Sequence, residues 1–191
     1  MKLVNLIEED FVNYRKPGMF LGFPYCSGKC NSPGRVVCQN EALRCIPERE
    51  LINISPEEIV QRFENNFIPE ALICGGLEPF DSFNDLVLLC GAFRKKFKHP
   101  NAYPIVIYTG YYPHEIKEQL VVLMHWQGII VKFGRYIPGD QPHRDPYLGV
   151  NLASDNQYAV PLDILWDGVD ITDYLGYRFE EKPRQPGNNE M

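Results

Sequence analysis

The stretch SPEEIVQRFENNFIPEALICGG, residues 55–76, contains a helix followed directly by a strand. Ser55 precedes Pro56 and two glutamates, an order typical of a capped helix start, and apolar residues follow at helical spacing as far as Phe67. The next run, EALICGG, is short and apolar and ends in two glycines, as expected of a buried strand. This helix and strand predict an α/β fold.

The segments on either side repeat the alternation. Further buried strands are predicted at GMFLGFPY (18–25), YPIVIYTGY (103–111) and GIIVKFG (128–134), and further helices at NDLVLLCGAFRKKF (84–97) and PHEIKEQLVVLMHW (113–126). Strands and helices in turn at this spacing indicate parallel crossover units in one domain, residues 1–176. An Asp-Gly turn in ILWDGVDITDYL (164–175) predicts a hairpin, and residues 177–191 resemble a flexible tail.

Composition narrows the class of protein. The chain has 191 residues, of which 45% are hydrophobic, which is enough for a sizeable core. It carries 19 basic and 25 acidic residues, a net charge of -6, without the clustered basic face that nucleic-acid binding needs. Neither a signal peptide nor a membrane-spanning run is recognisable. We therefore expect a cytoplasmic protein, in which thiols stay reduced.

Three of the six cysteines, Cys26, Cys30 and Cys38, lie in the loop that follows the first predicted strand. Three thiolates leave one position open on a four-iron cluster, whereas structural zinc sites have four ligands and usually contain C-x-x-C pairs, which this sequence lacks. An iron-sulfur cluster is the favoured interpretation. Zinc bound with Cys45 as fourth ligand, or ordinary free thiols, remain alternatives.

Other residues that could carry chemistry have simpler interpretations. Cys74 and Cys90 lie within a strand and a helix and are expected to be small buried apolar residues. The four histidines show no metal-ligand spacing and are expected to be structural or exposed. Lys132, near the end of the fourth strand, is expected to be solvated. Because ligands of parallel α/β folds bind beyond the carboxyl ends of the strands, the cysteine loop, Gly75-Gly76 and Thr109-Gly110 should meet on one side.

Several short motifs resemble one family. Cys26-x-x-x-Cys30, with Val37-Cys38 completing the set, resembles the cluster loop of radical S-adenosylmethionine enzymes, although seven residues separate Cys30 from Cys38 where two are usual. CQN (38–40), CGGLEPFD (74–81), YTGYYPHEI (108–116) and the segment FGRYI with RDPYLGVNLASDNQ (133–157) resemble motifs of the activating proteins of anaerobic ribonucleotide reductase.

This resemblance implies a fold, cofactors and a reaction. The fold would be a partial, open (β/α) barrel of mostly parallel strands. Cys26, Cys30 and Cys38 would bind a [4Fe-4S] cluster whose open iron holds S-adenosylmethionine, and an electron from the cluster would cleave that cofactor to a 5'-deoxyadenosyl radical. Residues implied to contact S-adenosylmethionine are Val37, Asn40, Gly75, Gly76, Glu78, Thr109 and Gly110.

The family also implies partners. The radical would be transferred to a glycine in the large subunit of an anaerobic ribonucleotide reductase, with a reduced flavodoxin-like or ferredoxin-like protein as electron donor. The long polar segment 135–157 is expected to contact that subunit, through residues such as Arg144 and Asp145. The alternatives are an iron-sulfur electron carrier, a zinc-binding interaction module, or a radical enzyme with another substrate.

Overall fold

The computed structural model describes residues 1–31 and 36–165; the predicted tail and nearly all of the predicted 164–175 hairpin lie outside this range. The helices are α1 (Glu41–Arg44), α2 (Pro56–Asn65), α3 (Phe83–Lys96) and α4 (Lys117–Leu123). The strands are β1 (Lys2–Leu3), β2 (Asn5–Asp10), β3 (Gly18–Phe23), β4 (Ile52–Asn53), β5 (Ala71–Gly76), β6 (Ile105–Tyr108), β7 (Ile129–Phe133), β8 (His143–Arg144), β9 (Asn151–Leu152) and β10 (Tyr158–Pro161). Short 3-10 helices cover Glu48–Glu50, Pro79–Ser82, Pro113–Glu115 and Leu162–Leu165.

Six strands form the main sheet, in the order β10-β7-β6-β5-β3-β2. The four central strands, β3, β5, β6 and β7, are parallel and lie in the order in which they occur along the chain. The edge strands β2 and β10 run antiparallel to their neighbours and do not pair with each other, so the sheet is open. The predicted α/β class and mostly parallel sheet are therefore confirmed.

The two faces of the sheet are covered differently. The side chains of α2, α3 and α4 pack on one face and form the larger core with alternate residues of the central strands, such as Leu72, Ile107 and Val131. On the other face, Ile73 and Val106 pack against Tyr14, Leu148 and Leu152, which belong to β9 and to connecting segments. The residues between β7 and β10 thus cover a sheet face.

Helix α2 is shorter than predicted. The Ser55 hydroxyl caps its start by accepting a hydrogen bond from the Glu58 amide at 3.1 Å. The helix ends at Asn65, because Asn66 adopts an extended conformation and its side-chain oxygen accepts the Ile68 amide at 3.0 Å. The expectation that Phe67 continues the apolar face of the helix was wrong: its side chain is 98% exposed.

None of the helices in residues 1–31 and 36–165 has the length and apolar character needed to span a membrane.

Candidate functional site

The cysteine loop, residues 24–40, crosses the carboxyl ends of β3 and β5. Its first part runs beside the residues that follow β5, since the Glu78 amide donates to the Tyr25 carbonyl at 2.9 Å. Its last part is held by Asn40, whose side-chain amide donates to the Gly76 carbonyl at 2.7 Å. The prediction that this loop and the glycine pair meet on one side of the sheet is confirmed.

The three thiols of the loop are free and half-buried. The Gly28 amide donates to Cys26 Sγ at 3.3 Å, and Cys30 Sγ lies 3.6 Å from the position that a Cβ atom on Gly110 would occupy. Burial raises the pKa of Cys26 and Cys30, and each of these thiols is also affected by the charge of Cys38. Cys45 differs: it is exposed, and its thiol donates to the Glu41 carbonyl within α1 at 3.8 Å.

The spacing of these thiols bears on which group they could hold. In the part of the chain that the structure describes, no three His, Cys, Asp or Glu side chains converge tightly enough to bind one metal ion. A single zinc ion needs all its ligands at about 2.0 to 2.3 Å from one centre. The thiolates of an iron-sulfur cluster bind different irons and need not converge on one centre.

Glu78 connects the ends of β5 and β6. It is only 5% exposed, and its carboxyl group accepts hydrogen bonds from the Thr109 hydroxyl at 2.7 Å, the Gly110 amide at 2.9 Å and the Phe80 amide at 3.2 Å. Burial raises the pKa of Glu78 to about 7, although these donors favour its charged form. The Thr109 hydroxyl also accepts the Tyr111 amide at 3.0 Å. The side chains of Glu78 and Thr109 thus shape the backbone around Gly110.

Both glycines at the end of β5 have a packing reason. Gly76 has φ +83°, and a Cβ atom there would lie 2.7 Å from the Gly22 Cα in β3. A Cβ atom on Gly75 would lie 2.9 Å from the ring of Phe20. Glycine at these positions lets β3 and β5 approach each other. The predicted contacts of Gly75, Gly76 and Val37 with a cofactor stay predictions.

Lys132 was expected to be solvated, and this was wrong. The side chain is 6% exposed, and Nζ donates to the Gly134 carbonyl at 2.8 Å. Burial lowers its pKa to about 8, while the negative charges of Glu78 and Cys30 partly offset this effect. Its place in the otherwise apolar run IIVKF, in a central strand, is the sequence signal that could have indicated burial.

A group of charged and aromatic side chains around the cysteine loop was not foreseen. Arg135 donates to both oxygens of Glu115 at 2.6 and 2.7 Å, and Lys29 Nζ lies 3.5 Å from the same carboxylate. Lys29 also lies 4.5 Å from the ring centroid of Tyr111, whose hydroxyl donates to Asp81 at 2.6 Å. A cleft in this region is lined by Cys26, Ser27, Lys29, Cys30, Glu78, Gly110, Tyr111 and Arg135. It combines two thiols with two cations and a carboxyl group.

Asp145 does not have the exposed position expected of a docking residue. It is 2% exposed, and its carboxylate accepts the amides of Tyr147, Leu148 and Ala159 at 2.8 to 2.9 Å. A short polar side chain in a loop commonly binds nearby amides in this way. Asp145 therefore organises the segment between β8 and β10, whereas the neighbouring Arg144 is exposed.

Comparisons with protein families, with curated proteins and with solved structures found no match to this chain.

Proposed function

We propose that this chain is a radical S-adenosylmethionine enzyme that binds a [4Fe-4S] cluster through Cys26, Cys30 and Cys38. One observation carries the proposal: three free, half-buried thiols lie on a single loop across the carboxyl ends of parallel strands, and two of them, Cys26 and Cys30, line the same cleft. Ligand sites of open α/β sheets lie at this edge. Cys45 does not belong to this group of thiols, because its thiol donates to a backbone carbonyl of α1.

The cluster and S-adenosylmethionine would supply the electron and the radical, and the chain's own residues would bind and orient them. Arg135 lies near Cys30 and favours its thiolate form. Gly110 has no side chain beside Cys30 Sγ, which leaves room at that thiol. Glu78 fixes the backbone on both sides of this space through Gly110 and Phe80. Lys132 adds a buried cation whose charge interacts with that of Cys30.

The sheet supports the partial, open barrel that belongs to this proposal. The parallel strands β3, β5, β6 and β7 follow one another in space as they do along the chain, and α2, α3 and α4 pack on the same face of the sheet. This is the order of successive (β/α) units in a barrel. Such a sheet would present the cysteine loop at the mouth of the barrel.

The proposed substrate is a glycine residue of another protein, the large subunit of an anaerobic ribonucleotide reductase. Residues beside the cleft are accessible, since Tyr25 is 44% exposed and the Lys29 side chain is 51% exposed. A protein partner could therefore approach the cysteine loop directly. A flavodoxin-like or ferredoxin-like donor would reduce the cluster, and we place the reaction in the cytoplasm, where thiols stay reduced.

Anaerobic reconstitution with iron and sulfide, followed by reduction and an assay for cleavage of S-adenosylmethionine, tests the proposal. We expect cluster formation and formation of 5'-deoxyadenosine. A cluster without cleavage would indicate an electron carrier, and zinc without a cluster would indicate an interaction module. Addition of a candidate reductase should then produce a glycyl radical by electron spin resonance. Cleavage with no radical on any reductase would assign the enzyme to another substrate.

A further inference from the structure

The side chain of Asn31 joins the residues on either side of the insertion between Cys30 and Cys38. Asn31 follows Cys30 directly, and its Oδ1 accepts the amides of Val37 at 3.0 Å and Cys38 at 3.1 Å. These two hydrogen bonds join Asn31, which follows the second cysteine, to Val37 and to the third cysteine, Cys38. Asn31 and Val37, the residues on either side of positions 32–36, are therefore held together.

The same asparagine is fixed from its other side. Its Nδ2 donates to Glu41 Oε2 at 3.1 Å, and its backbone amide donates to the Gly28 carbonyl at 3.0 Å. Glu41 is in turn bound by Arg44 Nη1, at 3.1 and 3.0 Å from its two oxygens. The orientation of Asn31 is thus set by α1 and by the turn that contains Gly28.

This turn also reaches the first cysteine. Gly28 donates to Cys26 Sγ at 3.3 Å and has φ +75°. The guanidinium group of Arg44 lies over Gly28, with Nη2 3.1 Å from the position of an added Cβ atom. One set of contacts therefore connects the Cys26 thiol with the Cys38 amide through Gly28 and Asn31, and Asn31 directly follows Cys30 in the chain.

We propose that Asn31 is a positioning residue, which holds the backbone of Cys38 against the residue that follows Cys30 and so fixes these two cysteines relative to each other. Without residues 32–36 the sequence would read Cys30-Asn31-Val37-Cys38, with two residues between the cysteines. Closing a longer loop has a larger entropic cost, and the two hydrogen bonds of Asn31 offset it. The inference rests on the proposed function, because it concerns the ligands of the proposed cluster.

The test compares how long the reconstituted cluster survives an iron chelator under anaerobic conditions. Asn31→Ala removes the acceptor and should accelerate iron loss about tenfold, as expected from two lost hydrogen bonds. Asn31→Asp combined with Glu41→Gln keeps the acceptor for Val37 and Cys38 and avoids two facing carboxylates, so this double variant should stay close to the wild-type rate. Deletion of residues 32–36 should itself be tolerated, and in the Asn31→Ala chain it should restore most of the lost retention.

Asn66→Ala is the matched control, since Asn66 also accepts a backbone amide through Oδ1, but beyond the end of α2. It should leave the rate of iron loss unchanged. Thermal unfolding of the iron-free chains separates a local effect from a general loss of folding. The rescue by deletion would not occur if Asn31→Ala simply unfolded the protein.

The outcomes distinguish the inference from the function on which it rests. If the wild-type chain forms no cluster, the proposed function fails and the inference with it. If the wild type holds a cluster and Asn31→Ala holds it equally well, the function stands and the role of Asn31 is refuted. Loss of the cluster on deletion of residues 32–36 alone would show that the insertion belongs to the ligand loop, and would also overturn the inference.

Discussion

Replacing Glu78 by alanine should greatly destabilise the iron-free protein. Replacing it by glutamine should show how much the charge of Glu78 contributes to the free energy of unfolding. Alanine leaves the Thr109 hydroxyl and the amides of Gly110 and Phe80 without their acceptor. An unpaired buried donor costs about 1 to 3 kcal/mol. The sum over three donors, about 3 to 9 kcal/mol, is a large part of the roughly 5 to 15 kcal/mol by which domains are stable.

Glutamine has nearly the same shape and loses less. One oxygen of Glu78, Oε1, accepts from both Thr109 and Phe80, and the glutamine carbonyl can keep these two bonds. Only the Gly110 amide loses its acceptor, so the free energy of unfolding should fall by about 1 to 3 kcal/mol near neutral pH.

The pH dependence separates the two roles of this side chain. Burial raises the pKa of Glu78 from 4.5 to about 7, so between these values the folded state binds more protons than the unfolded state. Wild-type stability should therefore fall as pH rises through this range, by about 3 kcal/mol from this group. Glutamine does not titrate, so the advantage of the wild type over Glu78→Gln should shrink from pH 4.5 to pH 7.5.

Urea unfolding followed by circular dichroism at several pH values measures this difference. Glu115→Gln is a control of opposite sign: although burial alone would raise the pKa of Glu115, hydrogen bonds from Arg135 and Tyr112 hold it below its usual value. Stability from Glu115 is present above its unfolded pKa and is lost as pH falls, so the wild-type advantage over this variant should grow with pH. A stability gap between wild type and Glu78→Gln that does not change with pH would refute the reasoning for Glu78.

Two further predictions concern the site and its partner. Gly76→Val should lower iron content and folding stability together, because its Cβ would collide with the β3 backbone at 2.7 Å. Gly110→Ala should fold normally and affect only the cofactors, because its Cβ would meet Cys30 Sγ at an ordinary 3.6 Å. Equal unfolding midpoints for both variants would contradict this difference. Replacing the exposed Arg144 and Tyr147 together by alanine should reduce glycyl radical formation on the reductase, measured by electron spin resonance. Cleavage of S-adenosylmethionine without the partner should be unchanged. Proportional loss of both activities would assign these residues to the cofactor site.

The central part of the fold could be predicted because its strands are buried on both faces. Runs such as ALICGG and IIVKF are apolar over their whole length, and this pattern identified all four parallel strands. The edge strand Asn5–Asp10 was missed because three of its six residues are acidic, and because buried and exposed side chains do not alternate along it. Tyr158–Pro161 follows a segment rich in turn-forming residues, and only its pairing with β7 makes it a strand.

The site could be predicted in outline for a similar reason. The ends of parallel strands must meet at one edge, so the cysteine loop, Gly76 and Thr109 could be brought together from the sequence. What each polar side chain does there depends on tertiary contacts. Asp145 looks like an ordinary surface residue in the sequence, and only burial by distant segments gives it a structural role. The apolar run around Lys132 could have indicated burial, but its lowered pKa of about 8 follows from desolvation in the folded chain.

The most direct test of the account is the iron and sulfide content of four single variants after anaerobic reconstitution. Cys26→Ala, Cys30→Ala and Cys38→Ala should each fail to retain a cluster, because a cluster with one open iron needs three thiolates. Cys45→Ala should retain a full complement of iron and sulfide and cleave S-adenosylmethionine like the wild type. If Cys45→Ala loses its cluster as completely as the other three, the site has four cysteine ligands, no iron is open for S-adenosylmethionine, and the proposed function is wrong.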